Sequence, residues 1–232
     1  MNILVIIPAY NEEKSIGSVI ESVKSRHPEI DIVVVNDGSK DGTSAAARAS
    51  GKAHVVDLPV NLGIGGAVQT GYLFAYRNGY DIAIQIDADG QHDPAELNKI
   101  IASIANGEAD CCVGSRFVQK TSYRSSLSRR LGIQFFTWLI HLTVGKRITD
   151  PTSGFRAVNR KIIEVFANYY PDDYPEVEAV VLLERMGFRV KEASVQMHSR
   201  TAGKSSITPF KSLYYMVKVS LAVLMTRIRN VG

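Results

Sequence analysis

Residues 81–94, "DIAIQIDADGQHDP", join three local signals that together indicate an α/β fold. The apolar first half predicts a short buried strand. Asp87, Asp89 and Asp93 follow within seven positions, in a stretch that reads as a polar turn. Pro94 then opens a helical pattern, "PAELNKIIASIANG". A buried strand that ends in a polar turn and leads into a helix is the repeating unit of a mainly parallel sheet.

The same unit repeats on both sides of this stretch. Strands are predicted at "NILVIIPA", "DIVVVND" and "AHVVDLP" before it and at "DCCVGSR" after it. The first intervening helix has Ile16, Val19, Ile20 and Val23 at helical spacing. Strand-then-helix steps of roughly 20 to 30 residues predict a Rossmann-like, mainly parallel sheet with helices on both faces.

Polar clusters follow the predicted strands, and ligands bind at the carboxyl ends of such strands. Asp87 and Asp89 are placed to reach one hard cation, and Gln91 adds a carbonyl oxygen, which suits Mg²⁺ or Mn²⁺. Asp93, before proline, is predicted mainly as a helix N-cap. Asp37 in "NDGSKDGT" fits either a glycine-rich turn or an acceptor for a nucleobase N–H. The glycines of "NLGIGGAVQTG" predict a tight turn and helix entry, with backbone contact to a ligand as the alternative.

Composition places the 232-residue chain, with 45% apolar residues, among folded globular proteins. Two adjacent cysteines, Cys111 and Cys112, indicate a reducing compartment. The first residues lack the basic start of a signal peptide, and no window of about 18 apolar residues predicts a transmembrane helix.

The net charge of +4 conceals an uneven distribution. Residues 111–149 and 193–232 contain no Asp or Glu, yet they hold thirteen of the 27 Lys and Arg residues. Such segments favour an anionic partner, either phosphate groups or a membrane surface, although a solvated basic face gives the same pattern. Nucleic acid is not expected, because no helix-turn-helix, zinc-finger or RNP-like pattern is present.

Two segments in the second half read as basic amphipathic helices, one at 127–146 and one at 207–232. Phe210, Leu213, Tyr214, Val217 and Leu221 recur at spacings of three and four, with lysines interleaved. Helices of this kind lie in a membrane interface or pack on the sheet as ordinary helices.

Taken together, "PAYNEE", "VVNDGSKDGT", "DADGQ" and "GSRF" resemble the motifs of inverting family 2 glycosyltransferases with the GT-A fold. "DPTSGFRA" and "HSRTAGKSS" are similar to those of the polyprenyl-phosphate sugar transferases, the dolichol-phosphate mannose synthase group. The resemblance covers residues 2–206 and implies a GT-A catalytic domain at 1–206, followed by the amphipathic helix at 207–232.

This resemblance implies a UDP- or GDP-sugar donor and roles for individual residues. Those that match the nucleotide-binding segments are Pro8, Ala9, Tyr10, Asn11, Glu12, Asp37, Asp87 and Ala88. Asp89 and Gln91 match metal ligands for Mg²⁺ or Mn²⁺, and Arg116 and Arg130 match arginines that hold an acceptor phosphate. Arg200 matches one that reaches the donor diphosphate. With Asp150, the residues Asp87, Asp89 and Arg200 are the catalytic candidates.

The acceptor decides whether a base is needed. A polyprenyl phosphate of undecaprenyl type is already ionised, so positioning and charge neutralisation suffice. A saccharide or protein hydroxyl needs a base, for which Asp150 is the candidate, with Glu176 or Glu178 behind it. Asp150 also precedes Pro151, where it fits a turn cap. Two other hypotheses are weaker. The acidic motif argues against a nucleotide-binding module without activity, and "PAYNEE" argues against a nucleotidyltransferase.

The lipid acceptor implies a place in the cell. We expect a peripheral enzyme on the cytoplasmic face of the cell membrane, acting in the synthesis of cell-envelope glycans or polysaccharides. It would be held by its amphipathic helices or by a separate membrane-protein partner. The sequence leaves the sugar, the base and homo-oligomer formation open.

Overall fold

The computed structural model describes residues 1–118, 127–172, 175–198, 216–223 and 225. Its strands are β1 (Ile3–Ala9), β2 (Asp31–Asn36), β3 (His54–Asp57), β4 (Ile82–Gln85), β5 (Cys111–Ser115), β6 (Arg156–Asn159) and β7 (Val190–Ser194). Its helices are α1 (Ile16–Arg26), α2 (Thr43–Ala49), α3 (Gly63–Arg77), α4 (Leu97–Ala105), α5 (Leu127–Val144), α6 (Arg160–Asn168) and α7 (Pro175–Arg185). A 3₁₀ turn, Pro94–Glu96, precedes α4, and residues 216–223 form α8.

All seven strands of the described residues join one sheet in the order β3-β2-β1-β4-β6-β5-β7. Six of them run in the same direction, and β6 is antiparallel to both of its neighbours, β4 and β5. The predicted α/β fold and its mainly parallel sheet are confirmed. Strands β6 and β7 were not predicted, because the four residues "RAVN" and the mixed "VKEAS" carry no strong strand pattern.

Alternation along the central strands builds one core on each face of the sheet. In β1, Leu4 and Ile6 face a core formed with α3, α5, α6, α7 and α8, while Val5 and Ile7 face the core formed with α1, α2 and α4. All four side chains are fully buried. A parallel strand covered on both faces needs such a continuous apolar run, which is what "ILVII" supplies.

Helix α3 approaches β1 closely at Gly71. A Cβ atom at this position would lie only 2.2 Å from Cγ2 of Ile6. Glycine therefore lets α3 lie directly on the central strand. The glycines that the sequence places after α2 and α3 also take positive φ, 62° at Gly51 and 76° at Gly79, as helix ends commonly require.

Helix α5 occupies Leu127–Val144 of the segment 127–146, which was predicted as a basic amphipathic helix. Of the one predicted at 207–232, residues 216–223 are helical and the remainder lies largely outside the described residues. Within the part of the chain that the structure describes, none of the helices has the length and hydrophobicity needed to cross a membrane. Cys111 and Cys112 are free thiols, both buried in β5.

Candidate active site

One edge of the sheet gathers the segments that carry the predicted site residues. Strands β1, β2, β4 and β5 end there, at Ala9, Asn36, Gln85 and Ser115. Because β6 runs the opposite way, it begins at this edge with Arg156, which pairs with Gln85. We call this edge of the sheet the carboxyl edge.

The loop after β1 holds the first group of predicted nucleotide residues. They are the buried Pro8 and Ala9, the exposed Tyr10, then Asn11 and Glu12. Asn11 has a φ of 55°, a conformation that asparagine tolerates better than most residues. Its N–H donates to Ser39 Oγ at 2.9 Å, and its Oδ1 accepts from the Lys40 N–H at 2.9 Å. The Glu12 N–H donates to Thr43 Oγ1 at 2.8 Å, so side chains and backbone after β2 fix this loop.

Asp37 follows β2 and is buried, with 4% of its surface exposed. Its carboxylate accepts the N–H of Leu62 at 2.7 Å and that of Gly63 at 3.0 Å. The glycine-rich segment at the start of α3 thus binds an internal carboxylate, which a helix N-terminus favours. Asp37 has a structural role in this geometry, and its contact with a nucleobase stays a prediction.

The acidic loop after β4 places Asp87 partly in solvent and Asp89 inside the protein. The Asp87 side chain is 39% exposed, whereas Asp89 is only 2% exposed. His92 Nδ1 accepts the Asp87 N–H at 3.0 Å, so its Nε2 carries the proton and lies 3.6 Å from Asp87 Oδ2. The His92 ring stacks on Phe155 at 4.8 Å. The Gln91 N–H donates to Asp89 Oδ1 at 3.0 Å, which closes the turn.

These oxygen donors fit an open site for a hard divalent cation. Among the described residues, no three or more His, Cys, Asp or Glu side chains converge on one point, so no closed metal cage exists there. Mg²⁺ in nucleotide sites is commonly held by one or two carboxylates together with the substrate phosphates. Asp87, Asp89 and Gln91 offer that donor set, and their metal binding stays a prediction.

Asp93 caps the 3₁₀ turn that leads into α4, as predicted. Its Oδ1 accepts the Ala95 N–H at 2.9 Å, and its Oδ2 lies 3.2 Å from His198 Nε2. Burial acts to raise the pKa of Asp93, but the hydrogen bonds from Ala95 and His198 outweigh it and lower the pKa. The His198 N–H also donates to the Gln91 carbonyl at 2.8 Å, which ties the segment after β7 to the acidic loop.

A buried polar layer lies behind the acidic loop. Arg156 is fully buried, and its Nη2 donates to the carbonyl oxygens of Ser153 at 2.9 Å and Glu176 at 3.3 Å. Within the described residues, Nε and Nη1 of Arg156 and Nε2 of Gln85 have no hydrogen-bond partner. The Tyr170 hydroxyl lies 3.4 Å from Gln85 Oε1. Burial raises the pKa of Glu176, and the Arg156 guanidinium opposes this shift.

Arg116 and Asp150 form a buried ion pair beside the end of β5. Arg116 Nε donates to Asp150 Oδ2 at 2.6 Å, and its Nη2 donates to Oδ1 at 2.7 Å. The side chains are 5% and 0% exposed. The Arg116 N–H and the Thr152 hydroxyl donate to the same carboxylate, at 3.2 and 3.3 Å.

This pairing bears on two predicted roles. A fully buried carboxylate whose oxygens both accept from a guanidinium is poorly placed to take a proton from an acceptor hydroxyl. The guanidinium of Arg116 is likewise directed at Asp150 and Thr152 inside the protein. Glu176 and Glu178 lie in the first turn of α7, where the helix dipole stabilises acidic side chains.

A pocket of about 700 Å³ opens next to this ion pair. It is lined by Phe117, Arg130, Ile133, Gln134, Thr137, Trp138, His141, Arg147 and Thr149. Thr149 is anchored to β5 and β7, since its hydroxyl bonds Ser115 Oγ at 2.8 Å and Glu192 Oε1 at 2.9 Å. The pocket therefore combines basic and apolar lining residues with a threonine that is held in place by β5 and β7.

The structure brings most of the predicted residues to the carboxyl edge, and it pairs two of them, Arg116 and Asp150, with each other inside the protein. Arg130 is exposed and lines the pocket, whereas Arg116 and Asp150 are buried beside it. Arg200 lies outside the described residues.

Sequence reasoning assigned no role to four further residues: His92, Arg147, Arg156 and His198. His92 lies inside the acidic stretch, and Arg156 lies inside the quoted "DPTSGFRA". Arg147 belongs to the acid-free segment, whose charge alone did not distinguish it from its neighbours. No single-sequence signal reveals that Arg156 is buried, because arginine is normally found at the surface.

Comparison with known proteins places these motifs in context. The model of the family "Glycosyl transferase family 2" matches residues 4–166. The chain is 32% identical to polyprenol monophosphomannose synthase of Mycolicibacterium smegmatis, over 94% of this chain and 85% of that protein. It is 28% identical to UDP-N-acetylglucosamine--dolichyl-phosphate N-acetylglucosaminyltransferase of Methanococcus voltae, over 96% of this chain and 98% of that protein.

A solved structure shares the architecture. Glucosyl-3-phosphoglycerate synthase from Mycobacterium tuberculosis, in complex with Mn²⁺, UDP-glucose and phosphoglyceric acid, superimposes with a TM-score of 0.74. The match covers 97% of this chain and 79% of that protein, at 25% identity.

Proposed function

Because the chain belongs to glycosyl transferase family 2, we propose that it transfers a sugar from a nucleotide-sugar donor to a polyprenyl phosphate of undecaprenyl type, with inversion. The product would be a lipid-linked sugar for cell-envelope glycan or polysaccharide synthesis. Two relatives carry names that specify a polyprenol or dolichyl-phosphate acceptor, which supports the acceptor class.

On the donor side, the proposal uses the acidic loop at the carboxyl edge. Asp87, Asp89 and Gln91 would hold Mg²⁺ or Mn²⁺, which when bound offsets the charge that develops on the departing nucleoside diphosphate. His92 orients this loop by accepting the Asp87 N–H and stacking on Phe155. The structural relative crystallised with Mn²⁺ and UDP-glucose supports this assignment.

On the acceptor side, the pocket beside Arg130 is the observation that carries the proposal. Its arginines suit a phosphate, and its apolar walls suit the first isoprene units of a lipid. A phosphate nucleophile needs no deprotonation near neutral pH, so the chain must only position it and neutralise its charge. The buried ion pair of Asp150 favours this acceptor over a hydroxyl, which would need a base.

Exposed apolar residues on two helices support the membrane surface as the place of reaction. Leu131, Trp138 and Leu142 of α5 are each more than half exposed, and their spacing of seven and four puts them on one side of the helix. Val217 and Leu221 of α8 are 54% and 57% exposed. Such apolar stripes on basic helices suit the interface of an anionic membrane.

A donor and acceptor panel tests the proposal. Purified protein is incubated with UDP- or GDP-linked sugars, Mg²⁺ or Mn²⁺, and undecaprenyl phosphate in detergent, and lipid-linked product is measured. An Asp89→Asn variant serves as the inactive control. We expect lipid product with at least one donor, and its anomeric configuration by NMR tests inversion. Turnover with a saccharide or with phosphoglyceric acid, and none with the lipid, would contradict the proposal.

Vesicle sedimentation tests the membrane surface separately. We expect binding to vesicles that contain anionic phospholipid, and weaker binding when Leu131, Trp138 and Leu142 are all replaced by serine. Equal binding of this variant and the unmodified protein would remove α5 from the contact.

A further inference from the structure

The pocket that Arg130 lines is positively charged because its lining residues include basic side chains and, among those described, no acidic ones. Three of its lining residues, Arg130, His141 and Arg147, have basic side chains, and none of the described lining residues is acidic. All of the described lining residues lie between positions 117 and 149, inside the acid-free segment of the sequence. The charge excess noted in the sequence is thereby located at one concave surface.

Neighbouring basic residues differ sharply in how they are neutralised. Arg116 is paired with Asp150, and Lys146 lies 3.3 Å from Glu184 Oε1. In the described part of the chain, no carboxylate lies within ion-pair distance of Arg130 or Arg147. Their charges are therefore available to a ligand in the pocket.

We propose that Arg147 binds the acceptor phosphate together with Arg130, and that Arg116 instead holds Asp150 in place. The inference rests on the proposed function and names the acceptor contact within it. Two guanidinium groups match the charge of a phosphate monoester and can each donate two parallel hydrogen bonds to it. Ile133 and Trp138, on the apolar wall, would contact the adjoining isoprene carbons.

Steady-state kinetics of the full chain test the role of Arg147. We expect Arg147→Gln to raise the KM for undecaprenyl phosphate about tenfold to 100-fold, because a charge-assisted hydrogen bond is lost. The KM for the nucleotide sugar should change less than about twofold. Lys146→Gln is the matched control, because it removes the same charge at the adjacent position and Lys146 does not line the pocket. Arg147→Lys should restore part of the affinity, because it returns the charge without the planar fork.

A binding measurement gives a readout that does not depend on turnover. Trp138 is the only tryptophan of the chain and lines the pocket, so its fluorescence reports occupancy. Geranyl phosphate, geraniol and inorganic phosphate are titrated into the unmodified protein, into Arg147→Gln and into the control Lys146→Gln. We expect geranyl phosphate to bind far more tightly than either of the others, and Arg147→Gln to weaken it about tenfold or more.

The outcomes separate this inference from the proposed function. If the unmodified protein forms no lipid product, the proposed function fails. If it does form product, but Arg147→Gln behaves like Lys146→Gln in both assays, Arg147 has no acceptor role. Equal affinity for geraniol and geranyl phosphate would refute a phosphate site, and equal affinity for inorganic phosphate would refute a lipid acceptor.

Discussion

Replacing Asp150 by alanine should destabilise the protein substantially. The change removes a carboxylate that accepts three hydrogen bonds from Arg116, in a pair whose side chains are 5% and 0% exposed. Breaking such a buried pair costs about 3–5 kcal/mol. For a chain of this size, each kcal/mol lowers the melting temperature by about 2–4 °C, so we expect a decrease of about 10 °C.

A double-mutant cycle measures the pair itself. Arg116→Met, Asp150→Leu and the double variant are unfolded in urea, and their free energies of unfolding are compared. We expect the double variant to be more stable than either single variant, with a coupling of about 2 kcal/mol or more, because neither charge is left buried alone. Single costs that simply add within about 0.5 kcal/mol would refute the reasoning.

The same position tests the need for a base. We expect Asp150→Asn, assayed well below its melting temperature and shown by circular dichroism to be folded, to keep kcat within about tenfold of the unmodified enzyme. A general base typically contributes about 10²–10⁴-fold. A loss in that range, with nucleotide affinity unchanged, would favour the hydroxyl acceptor.

Three other predictions follow from packing, burial and charge. Gly71→Ala should lower the free energy of unfolding by about 1–3 kcal/mol, because the added Cβ would lie 2.2 Å from a side chain of β1. Gly17→Ala in α1, where nothing lies within 4 Å of the added Cβ, should raise it by about 0.5 kcal/mol. Urea unfolding measures both variants, and equal effects would contradict the close approach of α3 to β1. Burial raises the pKa of Cys111 to about 12, so Cys111 and Cys112 should react with a thiol reagent only after denaturation, and labelling of the native protein would show that β5 opens. Hydrogen bonds from its arginine and asparagine partners lower the pKa of Asp57 to about 2. The stability that these bonds add is therefore present above about pH 4 and is lost as the pH falls towards 2. In Asp57→Asn the free energy of unfolding in urea should vary less with pH over this range, by under about 1 kcal/mol, because the ion pair is exposed.

The first half of the fold was predictable because its strands are continuous apolar runs with glycine-marked turns. The cap at Asp93 was predictable for the same local reason, since proline follows it. Strand β6 was not, because its pairing is antiparallel and long-range, and because a buried Arg156 contradicts the expected pattern. Periodicity reports which residues face a core, but it does not report which distant strand they meet.

The sequence predicted which residues lie at the candidate site better than it predicted which partners they contact. The strand-end rule brought Asp87, Asp89 and Arg116 to one edge, as found. It could not show that Arg116 is paired with Asp150, because the two are 34 positions apart and each reads alone as a functional residue. Partners of opposite charge decide whether a side chain faces a ligand or the protein, and only the fold reveals them.

The position of β6 in the sheet has a consequence for the order in which the chain acquires its shape. Residues 1–105 contain β1 to β4, which are adjacent in the sheet and can assemble as synthesis proceeds from the N-terminus. One edge of β4 stays unpaired until residues 156–159 are synthesised, and β5 has no neighbouring strand before then. A nascent chain halted before β6 would expose the backbone of β4 as an unpaired edge, a site for aggregation. Strands β1 to β4 are thus built first, and the reversed strand β6 must be added before β5 and β7 can join them.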